Sequence, residues 1–190
     1  MTGTPWRFCP QCAHELSLVT QDEDGGPKER LRCTNCGFTH WNNPTPVLAA
    51  IVECADRDGK VLLARNAAWA GRMFALITGF MEAGETPQEG IAREIKEETN
   101  LDASALNLVG VYDFQRMNQV IIAYHVVARG QIRLSPELAE YKLFAPGDIV
   151  CWPAGTGYAV ARWLESRGIT PRFMTAEERA ALAAPRPEAS

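Results

Sequence analysis

Residues 79–101 read GFMEAGETPQEGIAREIKEETNL and carry the clearest signal in the chain. Four of its glutamates, Glu85, Glu94, Glu97 and Glu98, crowd into fourteen residues. Like charges held this close repel one another, so the pattern predicts a cation that neutralises them. Carboxylate oxygens suit Mg²⁺ or Mn²⁺ better than zinc or copper, so we expect one of those two metals here.

The same segment predicts a loop that leads into a helix over residues 86–99. Thr86 and Glu89 form a capping box, with threonine at the N-cap, proline at the first helical position and glutamate at N3. Ile91 and Ile95 lie one turn apart and are expected to face a core. Glu94, Glu97 and Glu98 therefore belong to a well-defined helix, and Glu85 lies in the loop that precedes it.

A merely solvated acidic face is the alternative interpretation of this helix. Arg93, however, is in register to pair with Glu97 four residues later. Two glycines, Gly79 and Gly84, precede the helix in a tight acidic loop. These features favour a metal site that loop and helix build together.

Eight positions of the segment fit the Nudix box, so the chain resembles the Nudix hydrolase superfamily. They are Gly79, Glu85, Arg93, Glu94, Ile95, Glu97, Glu98 and Leu101. Asn100 stands where glycine is usual, and asparagine is the residue that best replaces glycine in a left-handed helix cap. Upstream, residues 74–79 read FALITG, whereas many members have Trp-x-x-Pro-Gly-Gly. This departure concerns the substrate side of the pocket, not the metal site.

The second strong pattern is a pair of CxxC motifs, Cys9-x2-Cys12 and Cys33-x2-Cys36. Their separation is typical of a zinc ribbon, in which four thiolates surround one structural Zn²⁺. Disulfides and a redox-active CxxC are the alternatives. A missing signal peptide argues against disulfides, and the presence of two matched motifs argues against a redox-active CxxC.

The expected fold is α/β. Strands are predicted at 47–54, 60–65, 74–80, 106–115, 119–130 and 141–144, with a second long helix at 157–166. This order indicates a mixed sheet between helices. The resemblance implies the same fold, a Nudix α/β/α sandwich with a mixed sheet, here preceded by a small N-terminal zinc ribbon.

Three segments are expected from this organisation: a zinc ribbon at 1–40, a Nudix domain at 41–170 and a tail at 171–190. Thr175 could cap one more short helix, and residues 185–190 are expected to be disordered.

The net charge is −4, so a nucleic-acid partner is not expected, and no apolar run is long enough to cross a membrane. Cysteine usage favours the cytoplasm.

The resemblance implies a reaction and roles for the box residues. Members hydrolyse a nucleoside diphosphate linked to another group, with water attacking one phosphorus while metal ions hold the phosphate oxygens. Carried over by position, Glu94 and Glu98 bind the metal, and Gly79 offers its backbone carbonyl. Glu97 is a third ligand or activates water. Glu85 and Arg93 hold the carboxylates in place.

Family members often use one further acidic residue from outside the box. Glu140, directly before the strand at 141–144, resembles that residue and could act as ligand or base. An ordinary solvated turn glutamate is the alternative. Glu137, in the same segment, is the weaker candidate.

A zinc ribbon in front of a Nudix domain resembles two groups. NADH pyrophosphatases, which also decap NAD-linked RNA, carry a Ser-Gln-Pro-Trp-type motif after the box, where residues 111–116 read VYDFQR. The other group shares the Asn43-Pro44 joint, Gln119 before an apolar strand and a Pro-Glu-x-x-Glu segment, and acts on ADP-ribose, FAD and similar compounds. We therefore expect an ADP-linked dinucleotide or sugar, with NADH or NAD-capped RNA as the alternative.

Substrate-binding candidates are rings that could stack a base and arginines that could pair with phosphate. They are Trp69, Phe74, Tyr112, Phe114, Arg65, Arg72 and Arg116; packing is the alternative for each ring and solvation for each arginine. A non-catalytic nucleotide sensor is the rival class of protein, but such regulators tend to lose the box glutamates. A homodimer is implied by the family alone.

Overall fold

The computed structural model describes residues 6–184. The chain divides into two compact units, Met1–Asn43 and Pro44–Ser190. The division falls three residues after the expected boundary at residue 40. The reason is local: a strand at Thr39–His40 pairs within the first unit, and the next strand begins at Thr45.

The first unit is a three-stranded antiparallel sheet, formed by β1 (Leu16–Glu23), β2 (Gly26–Cys33) and β3 (Thr39–His40). Its buried cluster contains only Cys9, Leu16 and Cys33, with two partly buried neighbours. So small an apolar core cannot by itself offset the loss of conformational entropy on folding. A bound metal is therefore expected to stabilise this unit.

The second unit is built on a six-stranded mixed sheet. Its strands are β4 (Thr45–Cys54), β5 (Lys60–Asn66), β6 (Ile77–Phe80), β7 (Asp102–Phe114), β8 (Gln119–Arg129) and β9 (Leu138–Phe144). The order is β7-β8-β4-β5-β9, and β6 pairs with the first half of β4. β4 and β8 are parallel, and the other pairs are antiparallel.

One helix covers each face of this sheet. α1 (Pro87–Thr99) buries Ile91 and Ile95 with the even-numbered residues of β4, including Leu48. α2 (Thr156–Ser166) buries Trp163 and Leu164 with the odd-numbered residues of β4. Because successive strand residues point to opposite faces, the two cores lie on opposite sides of the sheet. This confirms the predicted α/β/α sandwich with a mixed sheet.

Three predicted strands differ by three or more residues from the observed ones, and one of them, expected at 141–144, spans Leu138–Phe144. The strand expected at 74–80 is confined to Ile77–Phe80, and Ala75 forms only an isolated bridge with Ala64. β7 begins at Asp102, four residues earlier than expected, because it pairs with β8 along its whole length. Sequence periodicity does not report such pairing.

The C-terminal segment forms further regular structure within the described residues. β10 (Val150–Cys151) pairs in parallel with β11 (Arg172–Phe173), and α3 (Ala176–Ala183) follows. Thr175 caps α3 as predicted: its hydroxyl accepts from the Glu178 N–H, and the Glu178 carboxylate accepts from the Thr175 N–H. The end expected to be disordered, 185–190, lies outside the described residues. Between residues 6 and 184 no helix has the length and apolarity needed to span a membrane.

Candidate active site

A cavity of about 460 Å³ lies where β4 and β8 begin and β6 ends. Helix α1 supplies its acidic wall. The lining residues are Val47, Thr78, Gly79, Phe80, Glu82, Arg93, Glu94, Glu97, Glu98, Gln119 and Glu137. Five of these are glutamates, and we refer to the space as the carboxylate cavity.

Gly79 and Glu94 fit together closely at the base of this cavity. A Cβ atom built on Gly79 would overlap the carboxyl group of Glu94. Only glycine therefore allows the β6 backbone to approach the carboxylate so closely. This places the Gly79 backbone beside the first of the predicted metal ligands.

Glu98 is the most deeply placed acid in the cavity, with only 8% of its surface exposed. Burial, followed by the charges of Glu94, Glu137 and Glu97, raises its pKa to about 7. Burial likewise raises the pKa of Glu94, although Arg93 opposes the shift. Buried carboxylates of this kind need a counter-charge, which a divalent cation would supply.

Arg93 organises the carboxylates. Its Nε and Nη2 donate to the two oxygens of Glu85 at 3.1 and 3.0 Å. Its Nη1 donates to Glu94 at 2.8 Å and to Glu97 at 3.1 Å. These partners raise the pKa of Arg93, the Glu85 bonds most. The arginine thus ties the loop that precedes α1 to the acidic face of the helix.

Glu85 is held from a second side as well. Its Oε1 accepts from the Glu82 N–H at 2.7 Å, and its pKa is lowered by Arg93 first and this backbone N–H second. Gly90 leaves the space that Glu85 occupies, because a Cβ there would overlap the Glu85 carboxylate and Leu48. Glu85 is thus an acceptor for Arg93 at the edge of the cavity and does not line it.

The oxygen donors fit Mg²⁺ or Mn²⁺ in chemistry. Among the described residues, however, only the four cysteines of the first unit gather as a compact set of possible ligands. In the carboxylate cavity Arg93 draws Glu94 and Glu97 towards its guanidinium. Metal binding would therefore require Glu94 and Glu97 to turn from the arginine towards the cation. Glu98 is the most buried of the three carboxylates.

The structure brings Glu137, not Glu140, to the carboxylate cavity. Glu137 lines it, whereas Glu140 pairs with Arg65, Nε to Oε1, at 2.9 Å. Glu140 shares a side of β9 with Phe144, which packs into the α2 core. Glu140 therefore lies apart from the box glutamates in this structure, and its expected role as ligand or base stays a prediction for which Glu137 is better placed.

The seven predicted substrate-binding residues lie outside the carboxylate cavity, Arg72 among them. Phe74 lines a separate cavity with Glu140, and Arg65 pairs with that glutamate. Arg116 lies 5.4 Å from the centre of the partly buried Phe114 ring. Trp69 is in the exposed loop that follows β5. Tyr112 is the best placed of these candidates, because it lines a cavity of about 380 Å³ that shares Gln119 with the carboxylate cavity.

Phe80 and Glu82 are among the lining residues that sequence reasoning did not propose for the site. Phe80 follows the box glycine, lines the carboxylate cavity and has 59% of its surface exposed. An exposed aromatic ring in a polar cavity is a candidate for stacking on a base. In the sequence, only its position at the end of a strand that leads into the box pointed to Phe80 as a site residue. Strand length alone did not show that its side chain would stay exposed.

The first unit carries the second set of candidate ligands. The sulfurs of Cys9, Cys12, Cys33 and Cys36 lie within 4.8 Å of one another. The two knuckles are built alike: the Ala13 N–H donates to the Cys9 backbone carbonyl at 2.8 Å, and the equivalent Gly37 N–H donates to the Cys33 carbonyl at 2.9 Å. The His14 backbone contributes most to lowering the pKa of Cys12 to about 6. This arrangement fits the predicted zinc site.

Comparison with known proteins agrees with both units. Residues 44–164 match the family described as NUDIX domain, and residues 7–42 match the family described as Nudix N-terminal. A NUDIX hydrolase structure from Nitrosomonas europaea is 29% identical, covers 89% of this chain and 97% of its own, and superposes with a TM-score of 0.71.

Two curated relatives are named NAD-capped RNA hydrolase NudC. The Vibrio atlanticus protein is 30% identical over 70% of this chain and 46% of its own length. The Pseudomonas entomophila protein is 24% identical over 90% of this chain and 59% of its own. The chain thus spans about half the length of the curated relatives it matches. The box residues surround the carboxylate cavity, and the two family matches follow one another along the sequence. The chain therefore belongs to the Nudix family, in its zinc-ribbon-bearing form.

Proposed function

We propose that this protein is a metal-dependent pyrophosphohydrolase that cleaves a nucleoside diphosphate linked to another group. The observation that carries the proposal is the carboxylate cavity, in which Arg93 joins the loop acid Glu85 to the helix acids Glu94 and Glu97. A sensor would need only to bind a nucleotide, whereas this cavity concentrates buried negative charge. Such charge favours divalent metal and phosphate chemistry.

In this proposal Glu94 and Glu98 hold Mg²⁺ or Mn²⁺, together with the backbone carbonyl of Gly79. When bound, the metal would neutralise the pyrophosphate oxygens and make one phosphorus more electrophilic. Arg93, held by Glu85, fixes the positions from which Glu94 and Glu97 would turn towards the metal. Hydrolysis adds water across the anhydride: a P–O bond forms to the water oxygen, and the bond to the bridging oxygen breaks.

Proton removal from the attacking water is assigned to the cavity glutamates. Glu97 and Glu137 both line the cavity, and Glu97 is the more exposed partner of Arg93. Glu137 takes the role first expected of Glu140, because it is the glutamate of that segment beside Glu98. A carboxylate within hydrogen-bond reach of the water is the geometric requirement for such a base.

For the substrate we propose an ADP-linked dinucleotide or sugar such as FAD or ADP-ribose, with release of AMP. Phe80 offers a ring inside the carboxylate cavity. Gln119 lines both this cavity and the one that contains Tyr112, so there is room next to the acids for the second half of an extended substrate. These two features support a substrate with two ring systems joined by a pyrophosphate.

NADH or NAD-capped RNA is the second candidate substrate, and the similarity to the NudC relatives favours it. The sequence VYDFQR at 111–116 opposes it, since the NADH pyrophosphatase motif would be expected there.

In the same proposal the ribbon binds one structural Zn²⁺ through its four cysteines. A homodimer stays a prediction from the family.

The test is a hydrolysis panel with Mg²⁺ and with Mn²⁺, containing FAD, ADP-ribose, NADH, NAD-capped RNA, diadenosine polyphosphates and nucleoside triphosphates. Glu98→Gln is the inactive variant, and Glu165→Gln, an exposed acid of α2, is the matched control. AMP release from FAD or ADP-ribose, lost only in Glu98→Gln, supports the first substrate class. Turnover confined to NADH or NAD-capped RNA selects the second. Nucleotide binding without turnover of any compound would overturn the enzymatic assignment.

A further inference from the structure

A second cavity, of about 390 Å³, lies apart from the carboxylate cavity and shares no lining residue with it. Its walls include Leu63 of β5, Phe144 of β9 and Leu182 of α3. We call it the β9 cavity. Its volume is within the range of about 300–1,000 Å³ that is common for small-molecule sites.

The β9 cavity opens on the face of the sheet opposite α1. Leu63 belongs to the core that α2 covers, and Phe74 and Phe144 pack against that core. Ile91 and Ile95 of α1 belong to the other core. The sheet therefore separates the β9 cavity from the helix that carries the box glutamates.

Positive charge predominates around this cavity. Arg72 and Lys142 line it, against a single lining carboxylate, Glu140. That carboxylate already accepts from Arg65 at 2.9 Å, with both side chains largely buried. Arg72 and Lys142 are thus the two positive charges on the wall, while the charge of Glu140 is balanced by Arg65. Such a surface attracts anions.

Aromatic rings lie directly beside the charge. Phe74 and Phe144 meet edge to face with their ring centres 6.5 Å apart. The Lys142 ammonium lies 4.5 Å from the centre of the Phe74 ring. A planar group could pack on these rings while an attached anion reaches Lys142.

The C-terminal segment forms the outer wall. The Arg72 N–H donates to Leu182 at 2.7 Å, and its guanidinium donates to the Ala181 carbonyl at 2.9 Å. A Cβ on Gly71 would come within 2.6 Å of the Leu182 oxygen, so glycine permits this close approach. The wall is therefore held by specific contacts.

We propose that the β9 cavity is a second ligand site, for a planar base carrying a phosphate, the chemistry of a nucleoside monophosphate. Lys142 and Arg72 would hold the phosphate, and Phe74 and Phe144 would contact the base. Two cations favour a phosphate dianion over a monocarboxylate. The proposal does not depend on the hydrolytic function, because no box residue takes part.

The test is titration of AMP into the Glu98→Gln protein by isothermal calorimetry without added divalent metal. We expect one AMP per chain, and Lys142→Ala should weaken binding at least about tenfold through loss of a charged hydrogen bond. Lys60→Ala, an exposed lysine on the adjoining strand β5, should leave affinity unchanged. Adenosine and inorganic phosphate should each bind more weakly than AMP.

Phe80→Ala separates the two cavities in the same experiment. Unchanged AMP affinity in Phe80→Ala, with loss in Lys142→Ala, supports the β9 cavity. Loss in Phe80→Ala with no effect of Lys142→Ala would place AMP in the carboxylate cavity and overturn the proposal. Binding weaker than about 1 mM in the Glu98→Gln protein itself would also overturn it.

Discussion

Arg93 binds both carboxylate oxygens of Glu85, through Nε at 3.1 Å and Nη2 at 3.0 Å, across eight residues of sequence. The two residues lie on either side of the start of α1, so the fork joins the glycine-containing loop to the helix. The remaining nitrogen of the guanidinium reaches Glu94 and Glu97. One side chain thereby sets the positions of three acids.

Arg93→Lys should lower kcat at low metal concentration and weaken metal binding by about 10- to 100-fold. Lysine keeps the charge but cannot pair with both Glu85 oxygens while also holding Glu94 and Glu97. A metal titration of the hydrolysis rate measures the effect. Arg162→Lys, in an exposed pair with Glu165 at 3.6 Å, is the matched control. Equal behaviour of the two variants would show that the bidentate geometry is unimportant.

Gly90→Ala should destabilise the protein although alanine is the better helix former by about 1 kcal/mol. The new methyl would overlap Glu85 and Leu48, and overpacking of this kind costs about 1–3 kcal/mol. Displacing Glu85 should also lower activity. Urea unfolding and the hydrolysis rate measure both effects. Gly147→Ala, which meets open space, should change neither, and a stabilised, fully active Gly90→Ala would contradict this account.

Glu98→Gln should abolish hydrolysis yet stabilise the protein when no divalent metal is added. The folded state raises the pKa of Glu98 from 4.5 to about 7, so it binds this proton more tightly than the unfolded state. The associated stability is therefore fully present below about pH 4.5 and is lost as the pH rises through about 7. Glutamine removes the penalty, which is about 3 kcal/mol for a pKa shift of this size.

The measurement is urea unfolding of wild type and Glu98→Gln at about pH 5 and about pH 8. The difference between the two proteins should be larger at the higher pH. Added Mg²⁺ should reverse the order, because it binds the wild-type folded state more tightly. A variant less stable than wild type at both pH values would show that the Glu98 charge is already compensated.

Glu137→Gln should reduce kcat at least about tenfold, while Glu140→Gln should have a smaller effect. The reason is placement, since Glu137 lines the carboxylate cavity and Glu140 pairs with Arg65 in the β9 cavity. Steady-state kinetics with saturating Mg²⁺ compare the two isosteric variants directly. A larger loss in Glu140→Gln would restore the original sequence-based choice of the base.

Cys33→Ser should release the zinc and unfold the first unit while the sheet of the second unit persists. The buried apolar cluster of the ribbon is very small, and structural zinc contributes about 10–16 kcal/mol in comparable modules. Metal analysis should show loss of zinc, and hydrogen exchange should accelerate in β1 and β2 but not in β4. Leu18→Ala, on an exposed position of β1, should retain both zinc and protection.

Local spacing explains what could be predicted from these residues alone. The capping boxes at Thr86 and Thr175 form as expected, because N-cap geometry involves only three or four neighbouring residues. Asn100 adopts the left-handed cap conformation, with φ of 62°, that its replacement of glycine required. Each CxxC turn forms a knuckle from neighbouring residues, and the pairing of β1 with β2 brings the four cysteines together. Such features depend little on the rest of the fold.

The candidate ring and arginine positions show where local reasoning stops. Phe74 and Tyr112 are plausible in sequence, yet they line cavities outside the carboxylate cavity, while the unconsidered Phe80 enters it. Which side of a strand faces a cavity depends on pairing register and on where the partner strand ends. Neither quantity is encoded in the spacing of one segment.

The sequence by itself determined the Nudix box, its helix, the zinc knuckles and the α/β class, because these follow from spacing within single elements. Only the tertiary structure decided that Glu137 stands beside Glu98 while Glu140 turns to Arg65. It also decided that the C-terminal segment closes the β9 cavity through Arg72. The physical reason is that these relationships join residues distant in sequence. They therefore depend on strand register, alternation and side-chain packing across the whole sheet.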